Sequence, residues 1–317
     1  SRIQEVNIAV ANDSVSTYFE DALAEVVMED LINECGYSAT QASTMLYSGG
    51  LRIESTLDPN IQNIADEVCS DPDTYPENVK WYLSYDLTTK DASGEYHNYS
   101  KEMMKKWFVE NESRSFNLIF NSMEDAYAAI ETYKAAIMSD GEEEIAENIS
   151  MTPQPQISLV IMDQSNGHVV AIVGGRGAKE GSRTLNRATD SARQPGSTFK
   201  VLSTYAPALD SAGMTLATVF NDAPFNYNDG TPVHNWYSNP PYEGLSSIRK
   251  GIYHSMNIVT VKCLTQITPK LGFDYLEDFG FTTLNELNDC YQPMALGGVG
   301  GVTNLELCAA YATIANG

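Results

Sequence analysis

The most specific pattern in this sequence is the octapeptide RQPGSTFK, residues 193–200. Pro195 and Gly196 mark the start of a helix, which places Ser197 in its first turn and Lys200 one turn later. Positions three apart share one face of a helix, with Cβ atoms about 5–6 Å apart. A serine hydroxyl needs a base to become a good nucleophile, and burial lowers the pKa of a lysine amine towards that role. The sequence therefore predicts Ser197 as a nucleophile and Lys200 as its base.

The bare S-x-x-K pattern is a weak signal, because about one match is expected by chance in a chain of this length. A second match stands at Ser247-Ile248-Arg249-Lys250. It lacks the preceding proline and glycine, and its serine is predicted to cap the next helix. The Pro-Gly entry therefore favours Ser197 over Ser247.

A second polar group is Ser255-Met256-Asn257. A serine and an amide two residues apart can point into the same cleft, where the hydroxyl relays a proton and the amide holds a substrate carbonyl. The same pattern at Ser115-Phe116-Asn117 precedes Ser197 and lies in an acidic segment. We therefore assign the predicted relay to Ser255 and the predicted carbonyl contact to Asn257.

Together these motifs resemble the transpeptidase domain of class A penicillin-binding proteins. The likeness extends to LGG at 296–298, GVT at 301–303 and AAYATIANG at 309–317, and upstream to GLRIESTLDP at 50–59. It implies the α/β (α+β) fold that penicillin-binding proteins share with serine β-lactamases. It also implies D,D-transpeptidation of peptidoglycan stem peptides through an acyl-enzyme at Ser197, and acylation of that serine by β-lactam antibiotics.

The resemblance also suggests roles for further residues and partners. An aromatic residue commonly lines the cleft of this family, and Trp236 is the matching candidate, although a packing role for this residue is equally open. The resemblance implies the extracytoplasmic face of the bacterial membrane, an anchor upstream of this chain, and the cell wall synthesis machinery as a partner.

One motif of the family is missing from the sequence. Lys-Thr-Gly or Lys-Ser-Gly should follow on a sheet-edge strand, whereas Lys179-Glu180-Gly181 precedes the nucleophile and has an acidic centre. Only the first hairpin of the family's sheet is present, so we expect an incomplete sheet and a natural protein that continues after Gly317. Losing one oxyanion donor typically costs about 10²–10³ in rate, so we expect the isolated fragment to be a poor enzyme.

Three regions are predicted along the chain. Residues 1–69 are interpreted as the linker that joins a glycosyltransferase to the transpeptidase, with a helix at 18–34, a half-buried strand at 51–57 and a further helix opened by Asp58-Pro59. Residues 70–152 are interpreted as an acidic, mainly helical insert with helices near 101–110 and 123–138. Residues 153–317 form the N-terminal part of the transpeptidase domain, beginning with a β-hairpin at 157–162 and 169–173.

Composition excludes several classes of function. The chain has 19 basic and 42 acidic residues and a net charge of −23, which disfavours nucleic acid as a partner. The four histidines show no metal-ligand spacing, and GGRG at 174–177 lacks the lysine and helix of a phosphate site, so no metal and no cofactor are expected. The five cysteines have no C-x-x-C pair, and a Cys35–Cys69 bridge remains open.

Two alternatives to transpeptidation remain at this point. Water could replace the amine acceptor, which would make the protein a D,D-carboxypeptidase or a β-lactamase. The missing motif instead favours a non-catalytic module that binds or senses penicillin or wall peptide. The intact set of Ser197, Lys200, Ser255 and Asn257 favours the enzyme.

Overall fold

The computed structural model describes residues 15–179 and 181–317. The helices are α1 (Tyr18–Asn33), α2 (Ala39–Ser48), α3 (Pro59–Ser70), α4 (Lys101–Asn111), α5 (Met123–Ile137), α6 (Ala206–Asp210), α7 (Ile248–Tyr253), α8 (Asn257–Ile267), α9 (Pro269–Asp278), α10 (Glu286–Asp289) and α11 (Asn304–Asn316). The strands are β1 (Lys80–Lys90), β2 (Tyr96–Ser100), β3 (Ile119–Phe120), β4 (Glu143–Gln154), β5 (Leu159–Asp163), β6 (His168–Val173), β7 (Val219–Asp222) and β8 (Gly244–Ser247). No helix among these described residues is long and apolar enough to cross a membrane.

The chain forms two compact units. The first contains the described residues up to Glu67 together with Ser158–Gly317, and the second contains Val68–Ile157. The mixed α/β class expected from the sequence is confirmed.

The hairpin of the first unit is the antiparallel pair β5–β6, as predicted. Helix α1 packs against β6 and helix α11 packs against β5. Phe19, Ile172 and Ala188 form the buried centre of this layer. Burying such side chains stabilises the layer by about 1.5–3 kcal/mol for each large residue.

The helical core of the first unit surrounds α8. This helix is apolar on nearly every face, and Ile258, Val259, Val261 and Leu264 are fully buried. A helix that is hydrophobic all round belongs in the centre of a domain. The segment around the predicted nucleophile packs on this core through Phe199 and its neighbours.

Capping residues fix the ends of several predicted helices. Thr17 forms a capping box at the start of α1, and Ser38 forms one at the start of α2. The Asp58 carboxylate accepts from the backbone N–H groups of Asn60 and Ile61, so α3 begins at Pro59. The start of α3 confirms the sequence-based prediction for Asp58-Pro59.

Two local predictions are corrected. Residues 51–57 are extended, but only Ser55 carries a bridge, so they form no strand. This segment meets β6 through Thr56 Oγ1, which donates to Val169 O at 2.5 Å, and the next residue after the segment, Asp58, donates its backbone N–H to Val170 O at 3.0 Å. The helix from Ser197 is also irregular: a 3-10 turn at Gly196–Thr198 leads to a π-helical turn at Val201–Tyr205 before α6.

The second unit is an antiparallel sheet covered by two helices, and its prediction as mainly helical is wrong. Strand β1 is central, with β4 along one side and β2 and β3 along the other. Helices α4 and α5 lie where predicted. Strand β1 has the alternation that indicates a strand, with Leu83, Tyr85 and Leu87 buried and polar residues between them, whereas β4 opens with consecutive glutamates and gives no such signal. The strands of this unit are stabilised by packing of the sheet against α4 and α5.

Candidate active site

The predicted nucleophile lies in the 3-10 turn Gly196–Thr198 with its side chain exposed. The backbone before it is held by the glycine-rich segment near 300. Arg193 and Val302 exchange two backbone hydrogen bonds of 2.9 Å, and Gln194 Nε2 donates to Val299 O at 3.0 Å. These contacts fix how the chain enters the turn that carries Ser197.

Two glycines allow this entry to pack closely. Gly297 has a φ of +76°, and a Cβ on it would lie against the backbone nitrogen and oxygen of Gly196, closer than atoms can approach. Gly196 itself has a φ of +59°. A side chain is disfavoured at both positions. Glycine in the Pro-Gly entry and in the LGG motif therefore allows these two segments to come into contact.

Lys200 is buried, with 3% of its surface exposed. Its Nζ donates to the Ser255 carbonyl oxygen at 2.7 Å, to Ser255 Oγ at 2.9 Å and to Asn257 Oδ1 at 2.6 Å. Burial lowers the pKa of Lys200 to about 8. The amine is therefore deprotonated in part near neutral pH, as a general base requires.

Ser255 reaches Lys200 because of an unusual backbone conformation. It lies between α7 and α8 with a φ of +52°. Non-glycine residues rarely adopt this region, and such residues cluster at functional sites. The turn directs both the Ser255 carbonyl and its hydroxyl to Lys200, while Met256 next to it is fully buried.

Asn257 is the first residue of α8 and binds in two directions. Its Oδ1 accepts from Lys200 Nζ, and its Nδ2 donates to His234 O at 2.7 Å. The amide therefore has a defined orientation, with its oxygen towards the lysine.

The structure brings three of the predicted residues together, Lys200, Ser255 and Asn257, whereas Ser197 makes no hydrogen bond to them among the described contacts. The three hydrogen bonds of the Lys200 ammonium go to Ser255 and Asn257, so none among the described residues joins it to Ser197. Ser197 is exposed one turn earlier on the same helical segment. The described contacts therefore place an exposed serine three residues before a buried lysine, without a direct hydrogen bond between them.

The Trp236 side chain is 66% exposed, but its contacts hold it in one orientation. Its Nε1 donates to His254 O at 2.9 Å, and its ring lies 5.3 Å from the His254 ring and 5.5 Å from the Tyr237 ring. His254 immediately precedes Ser255. A large aromatic face is therefore fixed near Ser255, where it can stack on a ligand.

Three further residues shape the site and were not predicted from the sequence. Tyr311 Oη donates to Thr198 O at 2.5 Å, which connects α11 to the turn Gly196–Thr198. Asn235 Oδ1 accepts from Asn257 N at 3.1 Å, and Asp222 accepts from Asn235 Nδ2 at 2.9 Å. Asn235 adjoins Trp236, but neither periodicity nor spacing distinguishes it from other loop asparagines.

The competing matches to the two motifs occupy ordinary structural positions. Ser247 Oγ accepts from Lys250 N at 3.3 Å and caps α7, which confirms its predicted role. Ser115 Oγ lies 3.0 Å from Ser113 Oγ in an exposed turn of the second unit.

A family model described as the penicillin binding protein transpeptidase domain matches residues 157–317. Penicillin-binding protein 1A of Clostridium tetani is 26% identical over 311 residues, which cover 94% of this chain and 31% of that protein. Penicillin-binding protein 1A of Neisseria cinerea is 38% identical over 172 residues, 52% of this chain and 20% of that protein. The chain therefore spans only 31% and 20% of the length of these two curated relatives.

Solved structures show the same fold. Penicillin-binding protein 1A from Haemophilus influenzae is similar with a TM-score of 0.55 at 20% identity, covering 94% of this chain and 46% of that one. The PonA1 protein from Mycobacterium tuberculosis, solved in complex with penicillin V, has a TM-score of 0.53 at 16% identity and covers 93% of this chain and 58% of that one. The fold class implied by the sequence motifs is confirmed by these two likenesses.

Proposed function

This chain belongs to the family of penicillin-binding protein transpeptidase domains, and from that premise we propose that Ser197 forms an acyl-enzyme during D,D-transpeptidation of peptidoglycan stem peptides. The observation that carries the proposal is the buried Lys200 amine, held by Ser255 and Asn257 one turn from the exposed Ser197. We propose the same serine as the site that β-lactam antibiotics acylate.

The protonation state of Lys200 decides when it acts. As an ammonium it has three donors, which its three acceptors on Ser255 and Asn257 use completely. As a neutral amine it has two N–H donors and one lone pair, so one acceptor loses its hydrogen bond and the lone pair becomes available to accept the Ser197 proton. Deprotonation both creates the base and frees it to meet the nucleophile.

The acylation step then balances as follows. Ser197 Oγ attacks the carbonyl carbon of the terminal D-Ala-D-Ala amide, and its proton passes to Lys200 Nζ. The carbon–nitrogen bond breaks, and Ser255 Oγ relays the proton from Lys200 to the departing amine. An acceptor amine from a second stem peptide then attacks the ester carbonyl carbon: a new amide bond forms, the ester bond to Ser197 Oγ breaks, and the proton that the amine loses passes through Lys200 to Ser197 Oγ. With a β-lactam the ring amide opens in the same way.

Substrate contacts and domain organisation complete the proposal. Asn257 would hold a backbone carbonyl of the stem peptide, and Trp236 would stack on the ligand at the cleft rim. We assign residues 1–69 to a linker, 70–152 to an insert and 153–317 to the transpeptidase region. The protein would act on the extracytoplasmic face of the bacterial membrane with the cell wall synthesis machinery.

Covalent labelling with a fluorescent penicillin tests the proposal. The full-length protein should be labelled, and the Ser197→Ala variant should not be. The Ser115→Ala variant is a matched control that should be labelled like the wild type, because Ser115 lies in an exposed turn of the second unit. An unlabelled wild-type protein, or a labelled Ser197→Ala variant, would remove the proposed function.

A further inference from the structure

A buried carboxylate lies next to the site without touching it. Asp222, at the end of β7, is 1% exposed. It accepts hydrogen bonds from Asn235 Nδ2 at 2.9 Å, Tyr237 Oη at 2.7 Å and the Glu243 backbone N–H at 2.8 Å. A buried charge is costly unless it is well hydrogen-bonded, and here three donors from one loop converge on it. Asp222 therefore organises the loop 235–243.

Asn235 connects this carboxylate to the active site. Its Nδ2 donates to Asp222 Oδ1, while its Oδ1 accepts from the N–H groups of Asn257 at 3.1 Å and Ile258 at 3.3 Å. Helix α8 has Met256 at its N-cap and no capping side chain of its own. Asn235 thus satisfies the free N–H groups of α8 from a distant part of the chain.

We propose that Asp222 and Asn235 are positioning residues: they hold the N-terminus of α8 so that Asn257 Oδ1 stays against Lys200 Nζ, and they thereby set the rate of acylation of Ser197. This inference rests on the proposed function. Neither residue contacts the reacting atoms in the mechanism above, and both act through Asn257.

The carboxylate matters for a directional reason. An ionised carboxylate only accepts hydrogen bonds, so Asp222, at 2.9 Å and with a longer contact of 3.4 Å to the Pro241 carbonyl oxygen beside it, favours the orientation of Asn235 with its NH₂ group towards Asp222 and its oxygen towards α8. An amide at position 222 could instead present its own NH₂ group and allow Asn235 to flip. The flipped Asn235 would bring donors against the N–H groups of Asn257 and Ile258, which opposes the observed cap.

Other charged groups lie on the same side of the site. Glu243 pairs with Lys250 Nζ at 2.6 Å and lies 3.0 Å from His254 Nε2. These pairs involve the Glu243 carboxylate, whereas Asp222 binds the Glu243 backbone. Substitution of Asp222 therefore changes the Asn235 contact without removing either ion pair.

The test measures the second-order rate constant of acylation by a fluorescent penicillin across pH in the full-length protein. We expect Asp222→Asn and Asn235→Ala to lower this constant about tenfold, the effect of losing one partner of a buried hydrogen bond. We also expect the pH midpoint to fall below the wild-type value, because the Lys200 ammonium loses a well-placed acceptor. Asp163→Asn is the matched control, since Asp163 accepts three hydrogen bonds from Ser165 and Asn166 in the β5–β6 turn.

The outcomes separate the inference from the proposed function. Wild-type protein that is not labelled refutes the proposed function itself. If the wild type is labelled and the pH midpoint of acylation is unchanged in both variants, the positioning role is refuted. A loss of folded protein would lower the amount of labelled protein without changing this midpoint. Asn235 is half-buried and outside the core clusters, so Asn235→Ala remains informative if Asp222→Asn fails to fold. The double variant should be no slower than Asn235→Ala, and multiplied effects would refute a shared route.

Discussion

The two S-x-x-K tetrapeptides of this chain have the same spacing and opposite electrostatic settings. Lys200 is 3% exposed and faces neutral acceptors, and burial lowers its pKa to about 8. Lys250 lies 2.6 Å from the Glu243 carboxylate, and the hydrogen bond between them raises the pKa of Lys250. One lysine is therefore prepared to lose its proton and the other to keep it.

The two serines differ in the same way. Ser247 Oγ is committed to the backbone N–H of Lys250 as a helix cap, whereas Ser197 is exposed at the start of its segment. A serine and a lysine three residues apart are thus insufficient for chemistry. The Ser197–Lys200 pair differs from the Ser247–Lys250 pair because Lys200 is buried and its amine is hydrogen-bonded to Ser255 and Asn257.

Removing each lysine should give the largest contrast. We expect Lys200→Ala to lower the rate of penicillin acylation by about 10²–10⁴-fold, since general bases contribute that much. Lys250→Ala should stay near the wild-type rate, as surface substitutions usually do. Stopped-flow or gel-based acylation measurements would compare them, and similar losses in both variants would break the contrast.

Changing Gly297 tests the packing that only the first pair has. A Cβ at Gly297 would collide with the Gly196 backbone, so Gly297→Ala should lower the free energy of unfolding by about 1–3 kcal/mol and slow acylation. Gly213→Ala is the control, because Gly213 also has a positive φ but has open space around it. Equal destabilisation of the two variants in denaturant melts would show that backbone strain alone is responsible.

The pH dependence of acylation should follow Lys200. The amine must be deprotonated to accept the Ser197 proton, so the rate should rise about tenfold for each pH unit below the pKa of about 8 and level off above it. Lys250→Ala should keep the same midpoint. A midpoint near the ordinary lysine value of 10.5 would contradict the role of burial.

Ser247→Ala should have the smallest effect. Loss of the cap on α7 should lower the free energy of unfolding by about 1 kcal/mol while acylation stays unchanged. Thermal denaturation and penicillin labelling of the same sample would measure both quantities. A labelling defect in this variant would show that the second pair has a chemical role.

The sequence was sufficient where local spacing determines the outcome. Helices α4 and α5 and the β5–β6 hairpin follow from periodicity, and the spacing of one helical turn after a Pro-Gly entry is what selects Ser197 and Lys200 as the proposed nucleophile and base. Such features depend on neighbours within a few residues.

The remaining features depend on pairing between distant segments. Asp222 and Asn235 meet only because β7 and β8 bring the loop 235–243 back to the start of α8. Strand β4 begins with glutamates and becomes a strand only by pairing along the whole of β1. The periodicity of neither segment identifies the distant residues it pairs with, so these contacts could not be predicted from the sequence.

The left-handed turn at Ser255 has one more consequence, which concerns how the site can be dissected. One of the three anchors of Lys200 is the main-chain oxygen of that turn, and replacing the side chain leaves this oxygen in the sequence. Ser255→Ala would therefore remove the proposed proton relay while Lys200 keeps two of its three hydrogen-bond acceptors, the Ser255 carbonyl oxygen and Asn257 Oδ1. A single substitution can therefore separate the proposed proton transfer by the Ser255 hydroxyl from the support that the Ser255 main chain gives to Lys200.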